Sequence, residues 1–186
     1  KAWPLKTLQD GRYWKAALKE KPQRAVIIGG GYIGLEAADN LRTQGLDVTL
    51  VEALPDVMLR LPAELRARIH ETAERHAVLI KTNARVTRME KDVDRVVHIS
   101  VGDEEILADV VLVATGVTPA SKIAEKADLE LNPRGAIAVN EYLQTSDENI
   151  YSAGDCADAI HLVTGNSTWI PLALRANRAG QIAGAD

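Results

Sequence analysis

The sequence predicts an α/β fold in which buried parallel strands alternate with helices. The run Arg24-Ala-Val-Ile-Ile-Gly29 is apolar after its arginine and ends at glycine, as expected of a strand buried on both faces. Residues 32–44 repeat apolar side chains at helical spacing, and Asp47-Val-Thr-Leu-Val-Glu52 is a second strand-like run. A strand–helix–strand unit this compact implies a right-handed parallel crossover.

The elements around this unit can be assigned in chain order. Residues 5–21 form a short amphipathic lead-in that ends at Lys21-Pro22. After the second strand, residues 62–77 carry apolar side chains on one face, and Pro62 is typical of a helix start. The next predicted strand is Val78-Leu-Ile-Lys81.

The pattern then changes from helices to short strands and loops. Residues 84–107 alternate apolar and polar side chains, which predicts an antiparallel meander. A buried strand is expected over residues 109–114. From Thr118 onward loops dominate, with a short strand predicted at Asn149-Ile-Tyr-Ser-Ala153 and a final helix from about Pro171.

Composition excludes several classes of function. The chain has 186 residues and a formal net charge of −4, so it has no broad attraction for nucleic acid or for an anionic membrane. Its apolar runs are too short to span a bilayer. The single cysteine forbids an intrachain disulfide, and the four histidines have no metal-like spacing. We therefore expect no metal site and no nucleic-acid or membrane partner. We expect the protein to be located in a reducing cytoplasm.

The strongest local signal is a glycine pattern between the first strand and its helix. The G-x-G-x-x-G pattern is weak alone, because a tight turn without a ligand also contains glycines. Here it follows a strand and opens a helix, as in the dinucleotide fingerprint of a Rossmann-like fold. Amide groups and the positive end of the helix dipole would hold the pyrophosphate. The predicted cofactor-binding residues of this loop are Gly29, Gly30, Gly31, Tyr32, Ile33 and Gly34.

The three pattern glycines have different expected uses. Gly29 would permit the tight turn after the strand. Gly31 would let the backbone approach the pyrophosphate without an intervening Cβ. Gly34 would allow close packing of helix against strand.

Glu52 ends the second strand and is predicted to accept hydrogen bonds from both ribose hydroxyls of NAD(H). The alternative is an ordinary solvated acid at the end of a strand. A 2′-phosphate about 5 Å away would meet roughly 3 kcal/mol of repulsion at an effective dielectric near 20. This corresponds to about a hundredfold preference for NAD over NADP, part of which Arg60 could offset.

Three stretches in register resemble the pyridine nucleotide–disulfide oxidoreductases. They are Gly29-Gly-Gly-Tyr-Ile-Gly-Leu-Glu36, Ala114-Thr-Gly116 and Thr145-Ser-Asp-Glu-Asn-Ile-Tyr-Ser-Ala-Gly154-Asp155. The resemblance implies a Rossmann-like NAD(P)-binding domain, with a parallel sheet and a β-meander, plus the C-terminal half of an FAD-binding domain. The expected division is a lead-in from the FAD domain at 1–20, the NAD(H)-binding domain at 21–117 and a truncated FAD-binding domain at 118–186.

A finer resemblance points to one branch of this family. Gly154-Asp-Cys-Ala-Asp158, His161-Leu-Val-Thr-Gly165 and Trp169-Ile-Pro-Leu-Ala173 are most similar to the CoA-disulfide reductases, with NADH oxidases and NADH peroxidases close to them. The family often has Arg-Pro-Asn after its Ala-Thr-Gly motif, where this chain has Thr118-Pro119-Ala120. That departure puts local loop contacts in doubt but not the fold.

The resemblance also assigns cofactor contacts beyond the glycine loop. Asp155 would hydrogen-bond the ribityl chain of FAD, and the alternative is a turn acid that caps the preceding strand. Tyr32 and Glu36 would line the nicotinamide pocket, whereas from the residues alone Glu36 is a solvated helix position. The remaining implied contacts are Gly116, Gly154, Leu172 and Ala173.

The implied function is hydride transfer from NADH to FAD and onward to a disulfide such as CoA disulfide. The redox cysteine of the family would lie upstream of this chain, so we expect no catalytic residue here, and Cys156 is expected to be a small buried filler. The longer protein is expected to be a homodimer. Taken alone, this fragment is expected to bind NAD(H), hold FAD poorly and be inactive. The alternatives are an NADH oxidase or peroxidase, an electron-transfer reductase of the same fold, and a stand-alone NAD-binding module.

Overall fold

The computed structural model describes residues 2–93 and 96–185. The chain forms two compact units, the first ending at Gly116 and the second beginning at Val117. The first unit comprises, in chain order, β1 (Ala2–Pro4), α1 (Leu8–Lys19), β2 (Arg24–Ile28), α2 (Tyr32–Thr43), β3 (Asp47–Val51), α3 (Ala63–Arg75), β4 (Val78–Lys81), β5 (Val86–Lys91), β6 (Val97–Val101), β7 (Glu104–Ala108) and β8 (Val110–Val113). The second comprises α4 (Lys122–Lys126), β9 (Ala159–Ile160), β10 (Ser167–Thr168) and α5 (Ala173–Ala183).

Five parallel strands form the main sheet of the first unit, in the order β1-β8-β2-β3-β4. β2 is central, with Ile28 aligned with Val113 on one side and with Val51 on the other. β5, β6 and β7 form a separate antiparallel sheet. The parallel sheet and the meander that the sequence predicted are both present, so the predicted fold class is confirmed.

Alternation along β2 explains why this strand is apolar from Ala25 onward. Ala25 and Ile27 belong to the core beneath the helices, together with Trp14 of α1 and Leu41 of α2. Val26 belongs to a second core on the opposite side, which it shares with the meander. Both faces of the strand are thus buried, which requires apolar side chains at successive positions. The meander contributes Val97, Ile99, Val101 and Ala108 to that second core.

The segment expected to be a lead-in contributes an edge strand and a helix to this first unit. β1 pairs in parallel with β8, with Trp3 aligned with Leu112. α1 begins with a capping box, in which Thr7 and Asp10 exchange hydrogen bonds. Trp14 of α1 is buried, and its indole N–H donates to the Pro4 carbonyl at 3.1 Å. A three-residue strand that contains proline carries almost no sequence signal, which is why β1 was not predicted.

The second unit departs from the prediction at residues 149–153. In place of the predicted short strand, the structure has a single bridge between Tyr151 and Gln144. A strand needs a neighbour over several consecutive residues, and the described part of the chain pairs with this segment only at that bridge. The prediction of the final helix is close, since α5 begins at Ala173 rather than near Pro171.

Candidate functional site

The predicted loop residues lie at the carboxyl end of the main sheet. Gly29 follows β2 with φ +112°, in the region that favours glycine, and an added Cβ would overlap the carbonyl oxygen of Ala114. Gly34 lies in the first turn of α2, where an added Cβ would overlap the carbonyl oxygen of Gly29 and lie 3.5 Å from Ile27. Neither position has room for a side chain. At Gly29 the backbone after β8 occupies the space, and at Gly34 the helix packs directly on the strand and its turn.

Gly31 differs from its neighbours because it faces open space. Apart from Gly31 itself and its two chain neighbours, no atom of the described residues lies within 4 Å of the position that its Cβ would take. It is the N-cap of α2, and no side chain among the described residues makes a capping hydrogen bond there. The amide groups that begin a helix lack internal partners, so an anion is the group they would favour at this place.

Gly30 is held by the segment that follows β3. Its N–H donates to Glu52 Oε2 at 2.7 Å, and its carbonyl accepts from the N–H of Met58 at 3.1 Å. Its Cα also lies against Val57, whose Cγ1 would be 2.5 Å from an added Cβ. The sequence pattern counts Gly30 only as a variable position of the motif, whereas the structure requires glycine there as well.

The Glu52 carboxylate is fixed in orientation beside the loop. Its Oε2 accepts from Gly30, and its Oε1 accepts from the N–H of Leu54 at 2.8 Å. Each carboxylate oxygen can accept more than one hydrogen bond, so both keep capacity for a further donor. The position is compatible with the predicted ribose contact, and the carboxylate also stabilises the turn itself.

Two predicted pocket residues lie on the exposed part of α2. Tyr32 is 61% exposed at the first position of the helix. Glu36 is exposed one turn later, where it borders an open cleft between α1 and α2 together with Ile33 and Leu5. Neither side chain is used in the core, so both remain available for a ligand.

Gly116 lies near the glycine loop because of strand pairing. The Ala114 N–H donates to the Ile28 carbonyl at 2.8 Å, which places the residues after β8 beside Gly29. Gly116 has φ +104° and is exposed, and beyond its chain neighbours none of the described atoms lies within 4 Å of the place that a Cβ would occupy. The ends of β2, β3 and β8 therefore bring Gly29–Gly34, Glu52 and Gly116 together, at the edge of a parallel sheet where ligands commonly bind.

In the second unit, the predicted flavin contacts lie on a turn and a helix start. Gly154 has φ +95°, and the Asp155 side chain is exposed. Within residues 2–93 and 96–185, no group donates a hydrogen bond to the Asp155 carboxylate. Leu172 is the N-cap of α5 and Ala173 its first residue, and in the described part of the chain no side-chain hydrogen bond caps this helix start.

Arg175 holds this turn, and the sequence patterns did not single it out. Its guanidinium donates to the carbonyl oxygens of Gly154 at 3.2 Å and Ala157 at 2.9 Å, and also to that of Asp158. Trp169 adds an indole hydrogen bond to the Asp155 carbonyl at 2.8 Å. A cation in the first turn of a helix is disfavoured by the helix dipole. An arginine at this position is therefore a weak indication, visible in the sequence, that the side chain has a specific partner.

Two side chains near this turn are polar supports. Asp158 is 4% exposed, and its carboxylate accepts from the Val139 N–H at 3.1 Å and from the Ser167 hydroxyl at 2.6 Å. Cys156 is half-buried, with its thiol 3.4 Å from the Ala153 carbonyl oxygen and 3.7 Å from the Ser152 hydroxyl. The environment of Cys156 is therefore more polar than that of the buried filler expected from the sequence.

Neither a metal cluster nor a membrane-spanning helix is present in the described residues. Among them, no group of three or more histidine, cysteine or carboxylate side chains is arranged to hold a metal ion. No helix in the described ranges has both the length and the apolar character needed to cross a membrane.

Comparison with known proteins gives consistent matches over almost the whole chain. The model of the family described as pyridine nucleotide-disulphide oxidoreductase matches residues 4–180. An NAD(P)H sulfur oxidoreductase (CoA-dependent) of Pyrococcus abyssi is 37% identical over 169 residues, which are 90% of this chain and 37% of that protein. An NADH oxidase of Methanocaldococcus jannaschii is 33% identical over 97% of this chain and 40% of its own length.

A solved structure gives the same result for the fold. The NAD-dependent persulfide reductase from A. fulgidus superposes with a TM-score of 0.91 at 35% identity, covering 98% of this chain and 34% of that one. The chain thus spans between a third and two fifths of the length of these three proteins.

Proposed function

Because the chain belongs to the pyridine nucleotide-disulphide oxidoreductase family, we propose that it forms the NADH-binding site and part of the FAD-binding site of a flavin-dependent oxidoreductase. In the longer protein, NADH would transfer hydride to FAD. The reduced flavin would then reduce a disulfide or related sulfur compound, such as CoA disulfide. Residues 21–117 are proposed to bind NAD(H), and residues 118–186 to contribute to the FAD-binding domain.

The observation that carries this proposal is the open glycine turn beside a fixed carboxylate. Gly31 leaves room at an uncapped helix start, where a diphosphate would be held by amide groups and by the helix dipole. Glu52 lies at the same edge with both oxygens oriented by backbone donors. A diphosphate next to a ribose diol matches these two features, and this pair of groups occurs in NADH.

The residues of this chain would bind and orient, because the flavin supplies the electron-transfer chemistry when it is bound. Tyr32 and Glu36 are proposed to border the nicotinamide pocket, and the exposed Asp155 carboxylate to bind the ribityl chain. The uncapped start of α5 at Leu172 and Ala173 would stabilise negative charge on the reduced ring. Gly116 would let the backbone approach NADH closely, and Gly154 would do the same for FAD.

The names of the similar proteins support a sulfur substrate. The Pyrococcus abyssi protein is a CoA-dependent sulfur oxidoreductase, and the A. fulgidus protein is a persulfide reductase. A second candidate is an NADH oxidase, favoured by the similarity to the Methanocaldococcus jannaschii protein. The two functions are distinguished by NADH consumption in the full-length protein, measured with CoA disulfide under anaerobic conditions and with oxygen alone.

Calorimetry of the 186-residue chain with NADH and NADPH tests the binding site. We expect NADH to bind about a hundredfold more tightly than NADPH, because Glu52 repels a 2′-phosphate. The variant Glu52→Ala should weaken NADH binding and reduce this ratio, and Glu104→Ala, an acid in the meander, should leave the ratio unchanged. Failure of the folded chain to bind either dinucleotide would contradict the proposed function, and an unchanged ratio in Glu52→Ala would contradict the role of Glu52 alone.

A further inference from the structure

A charged cluster connects α3 to the segment that follows β3. Arg66 and His70 are four residues apart on α3, and both contact the carboxylate of Asp56. Arg66 Nη1 lies 2.9 Å from Asp56 Oδ2, and His70 Nε2 lies 2.7 Å from Asp56 Oδ1. The side chains of Asp56 and Arg66 are only 23% and 22% exposed, so solvent screens this pair less than it screens a typical surface pair.

The cluster continues to the glycine loop through successive contacts. Asp56 Oδ1 also accepts from the N–H of Val57 at 2.8 Å. Val57 is completely buried and packs against Gly30. The next residue, Met58, donates its N–H to the Gly30 carbonyl. An unbroken series of contacts therefore leads from α3 to the turn on which the diphosphate is proposed to bind.

The backbone of this segment needs such support. Met58 has φ +48°, a left-handed conformation that is uncommon and unfavourable for a side chain of this kind. A residue holds such a conformation only when its surroundings impose it. Asp56 on one side and the Gly30 carbonyl on the other supply two fixed points around Met58.

The charge state of Asp56 is consistent with this function. The hydrogen bond from His70 lowers the pKa of the Asp56 carboxyl, burial raises it by less, and the Val57 N–H and the Arg66 charge lower it further. The carboxylate is thus ionised at neutral pH. Arg66 Nε is buried without a hydrogen-bond partner among the described residues, which costs free energy. The fold therefore keeps the guanidinium in place although one of its donors is unsatisfied.

We propose that Asp56, held by Arg66 and His70, is a positioning residue for dinucleotide binding. It fixes residues 56–58 and thereby sets the position of Gly30 in the phosphate-binding turn. This inference rests on the proposed NADH site, since it concerns how that site is held in shape. None of the three side chains needs to touch the ligand.

Binding of NADH and ADP-ribose to variants of the 186-residue chain tests this inference. Asp56→Ala should raise the Kd of both ligands about tenfold, equivalent to ~1.4 kcal/mol, because ADP-ribose contains the whole diphosphate and adenosine half. Asp103→Ala is the matched control, since Asp103 is an exposed acid in the turn between β6 and β7. The Asp103→Ala variant should bind NADH and ADP-ribose with the same Kd values as the unmodified chain.

A pair of substitutions at Arg66 separates positioning from simple packing. Arg66→Lys keeps a cation opposite Asp56 and should retain NADH affinity, whereas Arg66→Leu keeps the apolar stem but not the charge and should weaken it as Asp56→Ala does. A packing role would give the opposite order or no difference. In ligand-free NMR spectra, the amide signals of Gly30 and Met58 should shift in Arg66→Leu and remain in place in Arg66→Lys.

The outcomes distinguish this inference from the proposed function. If the unmodified chain binds neither NADH nor ADP-ribose, the proposed function fails, and the inference fails with it. If that chain binds both while Asp56→Ala and Arg66→Leu bind equally well, only the positioning inference is wrong. Should Asp56→Ala fail to fold, the two Arg66 variants decide the matter.

Discussion

At the scale of single residues, the glycine-rich turn shows three different reasons for the same amino acid. Gly29 has a backbone conformation that side chains rarely adopt, Gly34 has no space for a Cβ, and Gly31 has space that the fold leaves open. Gly30, like Gly34, has no space for a Cβ, because Val57 occupies the place where its side chain would lie. The requirement for glycine is therefore structural at Gly29, Gly30 and Gly34, and we propose that at Gly31 it serves ligand binding.

Two alanine substitutions separate these requirements. Gly34→Ala should destabilise the chain by about 1–3 kcal/mol, since relieving the overlap with Gly29 moves the helix away from the strand, and this outweighs the better helix propensity of alanine. Gly31→Ala should unfold at nearly the same urea concentration as the unmodified chain but bind NADH more weakly. Equal stability losses in the two variants would contradict this division.

At the scale of elements, a half-buried ion pair connects the starts of two neighbouring strands, β2 and β8. Asp109, just before β8, accepts hydrogen bonds from the backbone N–H groups of Gln23 and Arg24 at 2.9 and 2.8 Å. The Arg24 guanidinium adds a third at 2.8 Å. This carboxylate therefore sets the register between β2 and β8, and with it the place where Gly29 meets Ala114.

Loss of the Asp109 charge should weaken this junction in a pH-dependent way. Burial raises the pKa of Asp109, but the hydrogen bonds from Arg24 and Gln23 outweigh it and leave the pKa below its ordinary value of 3.8. The stabilisation is thus present above pH 3.8 and disappears as the pH falls through the lower pKa of the folded chain. Asp109→Asn should cost about 1–2 kcal/mol at pH 7 after allowance for partial exposure.

Urea unfolding between pH 2 and pH 7 measures this effect. The difference between the unmodified chain and Asp109→Asn should be large at pH 7 and should shrink toward pH 2. A difference that stays constant over this range would show that the carboxylate charge is not the cause.

A second titratable contact lies in the meander and is centred on His98 of β6. Its ring lies 3.0 Å from Glu105 of β7 and 3.2 Å from Asp92, so both nitrogens face carboxylates. Hydrogen bonds to Glu105 and then to Asp92 raise the pKa of His98 above 6.5, against a smaller opposing effect of burial. The stabilisation is fully present below pH 6.5 and is lost as the pH rises through the raised pKa.

NMR titration of the His98 ring should give a pKa above 6.5 in the unmodified chain. Glu105→Gln should lower this pKa, because it removes the larger of the two contributions. Glu104→Gln is the matched control, since Glu104 pairs with Lys81 instead. Equal titration of His98 in all three proteins would contradict the assignment.

At the scale of the whole molecule, the proposed NADH and FAD sites lie on separate compact units. The proposed site in the first unit is assembled from three strand ends of one sheet. The proposed site in the second unit depends on a turn with little regular structure around it, which Arg175 and Trp169 hold by hydrogen bonds to four carbonyl groups. The second site therefore depends on side chains where the first depends on the sheet.

Arg175 should matter for flavin retention in the full-length protein. Arg175→Leu removes the three carbonyl contacts and frees the turn that presents Asp155, so the purified protein should hold less FAD per chain. Arg178→Leu, one turn later on the same helix and without a described contact to that turn, is the matched control and should keep its flavin. The ratio of flavin to protein absorbance measures both, and equal flavin content would contradict the role of Arg175.

The sequence by itself determined the parts of this protein that depend on local order. Residues 24–52 showed the strand, the glycine turn, the helix and the terminal acid, because periodicity and spacing along the chain specify each of them. It also indicated the meander and the family, the latter through motifs in register.

Only the tertiary structure decided which distant residues support those motifs. Four features join positions that no local pattern relates. They are the contact of Val57 with Gly30, the ion cluster that joins Asp56 to α3, the edge strand at residues 2–4, and the three carbonyl contacts of Arg175. The physical reason is that a hydrogen bond or a van der Waals contact requires two groups to be close in space. For residues far apart in the sequence, only the folded chain brings the groups that close.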